Sequence, residues 1–217
     1  INSVAVGYEA LASVSTADHN TAIGYQAMSG SEGSDGGYNV AVGAFAGGTA
    51  SGSNNVLVGG YAGFGSQGAG PDFTGNSNVF VGMRAGEYTT TGEGTVAIGA
   101  SAARQQLRLM DGVVIGHGAM NTSTSDLVTG VVAIGAYALG SSQGNTDYSV
   151  AIGYKAAHGQ ITTEPHSVYI GGFAGYNATS SFQSVMIGHG AGYNTGRSNS
   201  TQGTTLVGYQ SGYNATG

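Results

Sequence analysis

The string Val-Ala-Val-Gly at residues 4–7 returns with small changes twelve times, and each copy ends on a glycine: Gly7, Gly24, Gly43, Gly59, Gly82, Gly99, Gly116, Gly135, Gly153, Gly171, Gly188 and Gly208. Neighbouring glycines stand 16 to 23 residues apart. That step suits one coil of a solenoid and is too short for a helical-hairpin repeat or a propeller blade. No copy is large enough to enclose a core alone, so burial has to come from stacking one copy on the next. Residues 1–217 therefore read as a single repeat domain. Because it opens inside one repeat and closes just after another, it reads as a segment of a longer fibre.

Every copy has the same internal order. The residue before the glycine is Val or Ile in all twelve copies, and the residue three before it is Val in ten, with Thr21 and Thr205 the exceptions. β-Branched residues at period two predict a short strand. The intervening residue is apolar as well: Ala5, Ala22, Ala41, Leu57, Phe80, Ala97, Val114, Ala133, Ala151, Tyr169, Met186 and Leu206. A strand apolar on both faces is expected to be buried on both, as in covered parallel sheets. Three residues after the glycine comes Ala in eleven copies and Ser211 in the twelfth, which predicts close backbone approach at a turn. The linking arcs are rich in Gly, Ser, Thr and Asn and vary in length, as loops along one side of a solenoid do. The expected fold is all-β, a parallel β-roll or β-solenoid of about twelve short coils, forming a rod on the order of 55–60 Å long at about 4.8 Å per coil.

A coil this small cannot cover both faces of its own strand, so the second face must pack on another chain or element. An oligomer follows, and closed cyclic symmetry is the usual form for copies of one chain.

Composition narrows the partners. The 42 glycines do not fall at every third place and there are two prolines, which excludes collagen. Apolar residues make up 40% of the chain at fixed positions, which excludes disorder. The formal charge is −6, with Lys155 and four arginines as the only cations, so no basic stripe exists to meet a phosphate backbone and nucleic acid is not an expected partner. No apolar run approaches a bilayer span, so this segment is not expected to insert in a membrane. With no cysteine, neither disulfides nor thiolate metal sites arise.

The strings Asn39-Val-Ala-Val-Gly-Ala-Phe-Ala-Gly47, Val168-Tyr-Ile-Gly-Gly-Phe-Ala-Gly-Tyr-Asn177 and Leu206-Val-Gly-Tyr-Gln-Ser-Gly-Tyr-Asn214 resemble the repeats of phage tail-fibre-type proteins. They are also similar to the YadA-like head repeats of trimeric autotransporter adhesins. The resemblance extends over nearly the whole chain. It implies an intertwined parallel homotrimer of left-handed β-rolls, with the Val and Ile positions filling each roll and the small residues allowing tight packing.

Few residue patterns point to chemistry. The hexapeptide acyltransferase signature fits Ile23-Gly-Tyr-Gln-Ala-Met28, yet the next aliphatic place, five after the glycine, holds Ala12, Ser29, Gly48, Phe64, Glu87 and Arg104. The six aspartates share no register, so calcium-binding nonapeptides are not indicated; lone ions near Asp35 or Asp72 give way to a turn-forming role. The threonines form no ladder of the kind ice binding needs. His117 and His189 follow their glycines in equivalent places, but that place also holds Tyr8, Tyr25, Ala44, Gly60 and Tyr154, so no metal is assigned. No Ser/His/Asp set or carboxylate pair recurs. No catalytic residue and no cofactor are assigned, and the chain is not expected to be an enzyme.

The aromatics Tyr61, Phe64, Phe73, Tyr137, Phe173, Tyr176 and Tyr193 are the candidate receptor-binding residues, able to stack on the sugar rings of a cell-surface glycan or to meet a protein receptor. Packing over the roll is their other role. Three arcs break the rhythm and are the expected places for recognition: Gly65–Asn78 with Pro71 and Phe73, Gly30–Tyr38, and His158–Ser167 with Pro165. Ala103–Asp111, with Arg104 and Arg108 four apart, is expected to form one helical turn or a contact between chains.

With these features, the resemblance implies a stiff trimeric spacer at a virion surface, in a tail fibre or similar appendage, that presents loops for host attachment. A bacterial surface adhesin or extracellular filament built on the same roll is the alternative. A monomeric solenoid enzyme or ice-binding protein is the reading from another class.

Overall fold

A computed structural model describes residues 2–13, 18–30, 36–65, 73–122, 127–142, 146–159, 166–179, 183–195 and 203–215. Among them there is no helix. The strands in the first half are β1 (Val4–Val6), β2 (Thr21–Ile23), β3 (Val40–Val42), β4 (Val56–Val58), β5 (Val79–Val81), β6 (Val96–Ile98) and β7 (Leu109–Met110). The second half adds β8 (Val113–Ile115), β9 (Val128–Thr129), β10 (Val132–Ile134), β11 (Val150–Ile152), β12 (Val168–Ile170), β13 (Val185–Ile187) and β14 (Thr205–Val207). All but β7 and β9 join one twelve-stranded parallel sheet in chain order. Register is in step throughout, with Val4 beside Thr21, Thr21 beside Val40 and Val185 beside Thr205. The chain is a parallel β-solenoid.

Which face of the strand fills the coil differs from what the resemblance implies. The middle residue points inward: Ala22, Leu57, Phe80, Val114, Ala133 and Met186 are fully buried. The flanking Val and Ile point outward, and on several strands they are strongly exposed, from 36% at Val56 to 65% at Val207. The coil turns back within a few residues of the strand, so its interior accepts one side chain from the strand and leaves the two β-branched neighbours on the outer pleat. Within one chain, the second apolar face is uncovered.

The interior is filled by complementary volumes. The residue four after each glycine also points inward, and on three of the six coils whose strand residue is alanine it is large, with Leu11, Met28 and Leu139 accompanying Ala5, Ala22 and Ala133; Ala41, Ala97 and Ala151 are accompanied by the small Gly47, Ala103 and Ala157. Where the strand residue is large, that place is glycine. A Cβ on Gly86 would lie 2.4 Å from Phe80 Cε2, on Gly175 2.2 Å from Tyr169 Cδ1, and on Gly63 2.6 Å from Leu57 Cδ2. Between them sits the small residue three after the glycine, such as Ala27, Ala62 and Ala85, each without exposure. Native interiors are close-packed, so a bulky strand residue such as Leu57, Phe80 or Tyr169 leaves no room for a side chain at the other position.

The repeat glycines form a spine at the bend. Gly99 has φ +130°, and a Cβ there would lie 2.6 Å from the carbonyl oxygen of Gly116 on the next coil. No L side chain fits that place. Two residues after each repeat glycine the chain is left-handed, yet ten of those twelve residues are not glycine, among them Gln26 (φ 51°), Phe45 (φ 58°) and Lys155 (φ 51°). Backbone hydrogen bonds to the adjacent coils, such as Gln26 N–H to Tyr8 O at 2.8 Å and Met28 N–H to Ala46 O at 3.0 Å, hold this geometry.

A buried polar row runs beside the strands. Asn20, Asn39, Asn55 and Asn78 are fully buried, and each passes a hydrogen bond to the next coil. The Asn55 carboxamide donates to Gly75 O at 2.9 Å and to Asn39 Oδ1 at 3.1 Å, while its oxygen accepts from Asn78 N–H at 2.9 Å. Further along, Ser149, Ser167 and Ser184 continue the row, with Ser167 N–H donating to Ser149 Oγ at 3.3 Å and Ser184 N–H to Ser167 Oγ at 3.2 Å. Buried polar groups thus meet partners at the coil spacing.

Ala103–Asp111 forms neither the expected helical turn nor any other helix. Leu109–Met110 is strand β7, which pairs in parallel with β9 as Leu109 beside Val128 and Met110 beside Thr129. Leu109 and Val128 are fully buried. The alternation of Leu107, half exposed, with buried Leu109 is that of a strand.

Candidate functional site

Aromatic rings gather on the turn that follows each bend, in columns parallel to the rod. Five residues after the glycine, His158, Tyr176, Tyr193 and Tyr213 stack face to face over four successive coils, with ring centres 5.5, 4.9 and 4.9 Å apart and planes within 15°. The in-step coils cause this stack, because equivalent side chains come to lie roughly one strand spacing apart. A threefold Gly-Tyr-Asn string carries it: Gly175–Asn177, Gly192–Asn194 and Gly212–Asn214. Lys155 places its ammonium 6.0 Å from the centre of the Tyr176 ring and 5.4 Å from that of Tyr154. Burial, and next to it the Lys155 charge, hold the His158 imidazole below its ordinary pKa of 6.5.

The seven expected receptor-binding aromatics fall into different surroundings. Phe73 is fully buried against Phe80, with ring centres 5.7 Å apart, and offers no surface. Phe64 is 6% exposed and lies over Gly48, whose Cβ position is 2.4 Å from its Cε2. Both are core residues, because the bare glycines around them let the rings fold down onto the coil. Tyr61 is sandwiched between Phe45, stacked at 4.8 Å, and Arg84, whose guanidinium is 6.0 Å from the ring centre. Tyr137 leans over Gly118 and meets His117 and His158 edge-on. Tyr176 and Tyr193 each have a ring stacked on both faces, so they present edges.

Phe173 differs from these. Its neighbours Tyr154, Tyr176 and His189 meet it edge-on and Tyr193 is tilted against it, so no ring lies parallel to it. Beside it is a notch of about 220 Å³ lined by Phe173, His189, Gly190, Tyr193, Gln210 and Tyr213. Gly190 and Gln210 carry no aromatic or ionic signal, and sequence reading passes over them. A second groove of about 430 Å³ lies in the corresponding corner near the other end, beside Gln26, Phe45, Thr49 and Phe64.

The charged groups form a structural cluster. Arg104 Nε donates to Glu87 Oε2 at 2.6 Å, and Arg84 Nε lies 3.8 Å from Glu87 Oε1. The hydrogen bond to Glu87 raises the Arg104 pKa above its ordinary value. His117 and His189 do share one column, but His189 stacks on Tyr209 at 5.7 Å and His117 meets the edge of Tyr137. Among the described residues, no group of three or more His, Asp or Glu converges on a metal-sized site. Nor does any helix among them suffice in length and apolarity to cross a membrane. Asp35, Pro71, Asp72, Pro165 and much of the three irregular arcs lie outside the described residues.

Set against known protein families, curated proteins and solved structures, the chain matches none.

Proposed function

We propose that this chain is a segment of a homotrimeric β-roll fibre of about twelve coils, belonging to a phage tail fibre or similar virion appendage, which acts as a rigid spacer and presents its turns and arcs for attachment to a host surface. The uncovered Val and Ile face of the sheet carries this reading. Twelve strands about 4.8 Å apart and about 10 Å wide give a strip of the order of 500 Å². A continuous apolar strip of that size lies toward the upper end of the largest patch that a soluble monomer leaves uncovered, and such patches mark contact sites. Of its 24 positions, Thr21 and Thr205 alone are polar. Ile98, Ile170 and Ile187 on this strip are each more than a third exposed, and Tyr8, Tyr25, Tyr154 and Tyr209 widen it at one side.

Three parallel copies placed with these strips toward a common axis bury them all and leave the turns outside. Attachment is then multivalent, since each turn occurs three times at fixed spacing and weak contacts add to useful avidity. Catalysis has no part in this reading.

Light scattering on the purified segment, with and without guanidinium, tests the assembly. A mass of three chains that persists into strong denaturant is expected, and a single-chain mass overturns it. Flow cytometry of labelled segment on a panel of bacterial cells tests attachment, with saturable, self-competed binding expected and binding to none of them counting against the role.

A further inference from the structure

The notch at Gly190 is a gap in an otherwise filled column. Phe173 and Gly190 occupy the same turn place on successive coils, two residues after Gly171 and Gly188. At the equivalent pair near the other end, Phe45 and Tyr61 fill both places and stack at 4.8 Å with planes 17° apart. Glycine replaces the second ring here. The column's other glycine is not a gap, because Gly118 is covered by Tyr137, whose Cε1 lies 2.8 Å from the Cβ position. At Gly190 the Cβ position meets only Gln210 Cγ, at 3.4 Å. The absent ring leaves a ring-sized space beside Phe173, walled by Tyr193, Tyr213 and His189 and capped by Gln210.

We infer that this notch is a binding subsite for one pyranose ring of a cell-surface glycan, seated on Phe173 where a stacked aromatic would otherwise lie. A pyranose has an apolar C–H face that packs on an aromatic ring and a rim of hydroxyls that need hydrogen bonds. The notch offers both kinds of contact. Phe173 supplies the platform, and the exposed Gln210 carboxamide and His189 imidazole supply donors and acceptors at the rim. None of the six lining residues is acidic or a permanent cation, which suits a neutral sugar better than a charged group. Each subsite is small and weak, and three of them on a trimer gain by avidity. The choice of a glycan rests on the attachment role proposed above.

Saturation-transfer NMR with a panel of methyl pyranosides (glucoside, galactoside, mannoside and N-acetylglucosaminide), with phenol as the aromatic control, tests the subsite. Wild-type protein is expected to bind at least one pyranoside with millimolar affinity. Gly190→Tyr restores the column and should abolish that binding while lowering the unfolding temperature by a few degrees at most and keeping the unfolding cooperative, because bulky residues already hold this left-handed place in other coils. Ser101→Tyr, at the same place on another coil, should leave binding intact. Gln210→Ala, an exposed truncation that cannot unfold the rod, should weaken binding at least fivefold. Binding of phenol alone, of no pyranoside, or of a pyranoside equally by wild type and Gly190→Tyr overturns the inference. If cells still bind the segment while pyranosides do not, the subsite fails and the attachment role stands.

Discussion

The trade of volume between Phe80 and Gly86 makes a quantitative prediction. The two share one coil interior, and a methyl group at residue 86 would sit 2.4, 2.5 and 2.9 Å from three carbons of the Phe80 ring. Comfortable carbon contacts begin at about 3.5 Å. Gly86→Met is therefore expected to cost about 1–3 kcal/mol in overpacking, plus about 1–2 kcal/mol for an L side chain at φ +60°. Phe80→Ala opens a cavity in a fully buried place and is expected to cost about 3–5 kcal/mol. The double variant recreates the Ala22 and Met28 pair found on another coil, so only the backbone term of about 1–2 kcal/mol should remain. The backbone term cancels, so the shortfall from additivity should be at least about 4 kcal/mol, above the usual range of couplings between touching residues. Urea unfolding of all four proteins at one chain concentration gives the cycle, since any association would otherwise shift the midpoints. If the double variant loses the sum of the single losses to within about 0.5 kcal/mol, the two positions do not share a filling and the complementarity is refuted.

Other outcomes follow from the same geometry. Asn55→Ala leaves Gly75 O and Asn78 N–H buried without that partner and should lower stability by about 2–5 kcal/mol, whereas Asn55→Ser, a residue the same row uses elsewhere, should lose less; equal losses in denaturant unfolding would contradict the ladder. His158 is held below 6.5 by burial and Lys155, so the unfolded chain binds its proton more readily, and stability present above pH 6.5 should fall as the pH drops through and below that value. His158→Tyr should flatten that part of the unfolding-temperature profile, and an unchanged slope would assign it to other groups. Ile134→Asp places a charge on the outward strip and should reduce the light-scattering mass to one chain while the far-ultraviolet spectrum keeps its β character; a mass unaffected by the charge would show that the strip is not the interface.

Much of the architecture was open to reading, and the limits have physical causes. Period-two Val and Ile before a recurring glycine defined the strands and their parallel stacking. Which face they showed to the interior was not readable from hydrophobicity, because both faces are apolar and alternation carries no sign. The glycines that accompany every bulky strand residue, as Gly63 does Leu57 and Gly86 does Phe80, do carry that sign, since a place emptied for a side chain has to touch it. The buried asparagines counted in the sequence only among the polar residues of the arcs, and stacking alone turns them into a ladder. Phe73 read as a surface aromatic in a long arc, while its burial depends on where the arc crosses Phe80. Gly190 was silent because a gap is defined by what its neighbours do not fill.

The glycine spine also has a bearing on how such a rod tolerates change. At each bend one coil rests on the next through backbone atoms alone, as Gly99 does on Gly116. Pitch along the axis is thus fixed by the peptide unit and does not depend on which side chains a coil carries. The outer arcs can then lengthen or shorten, over steps of 16 to 23 residues, without changing the height of the coil they belong to. The rod behaves as a ruler with interchangeable flags: an arc grafted from one coil to another should alter what the surface displays and leave the distance between displays the same.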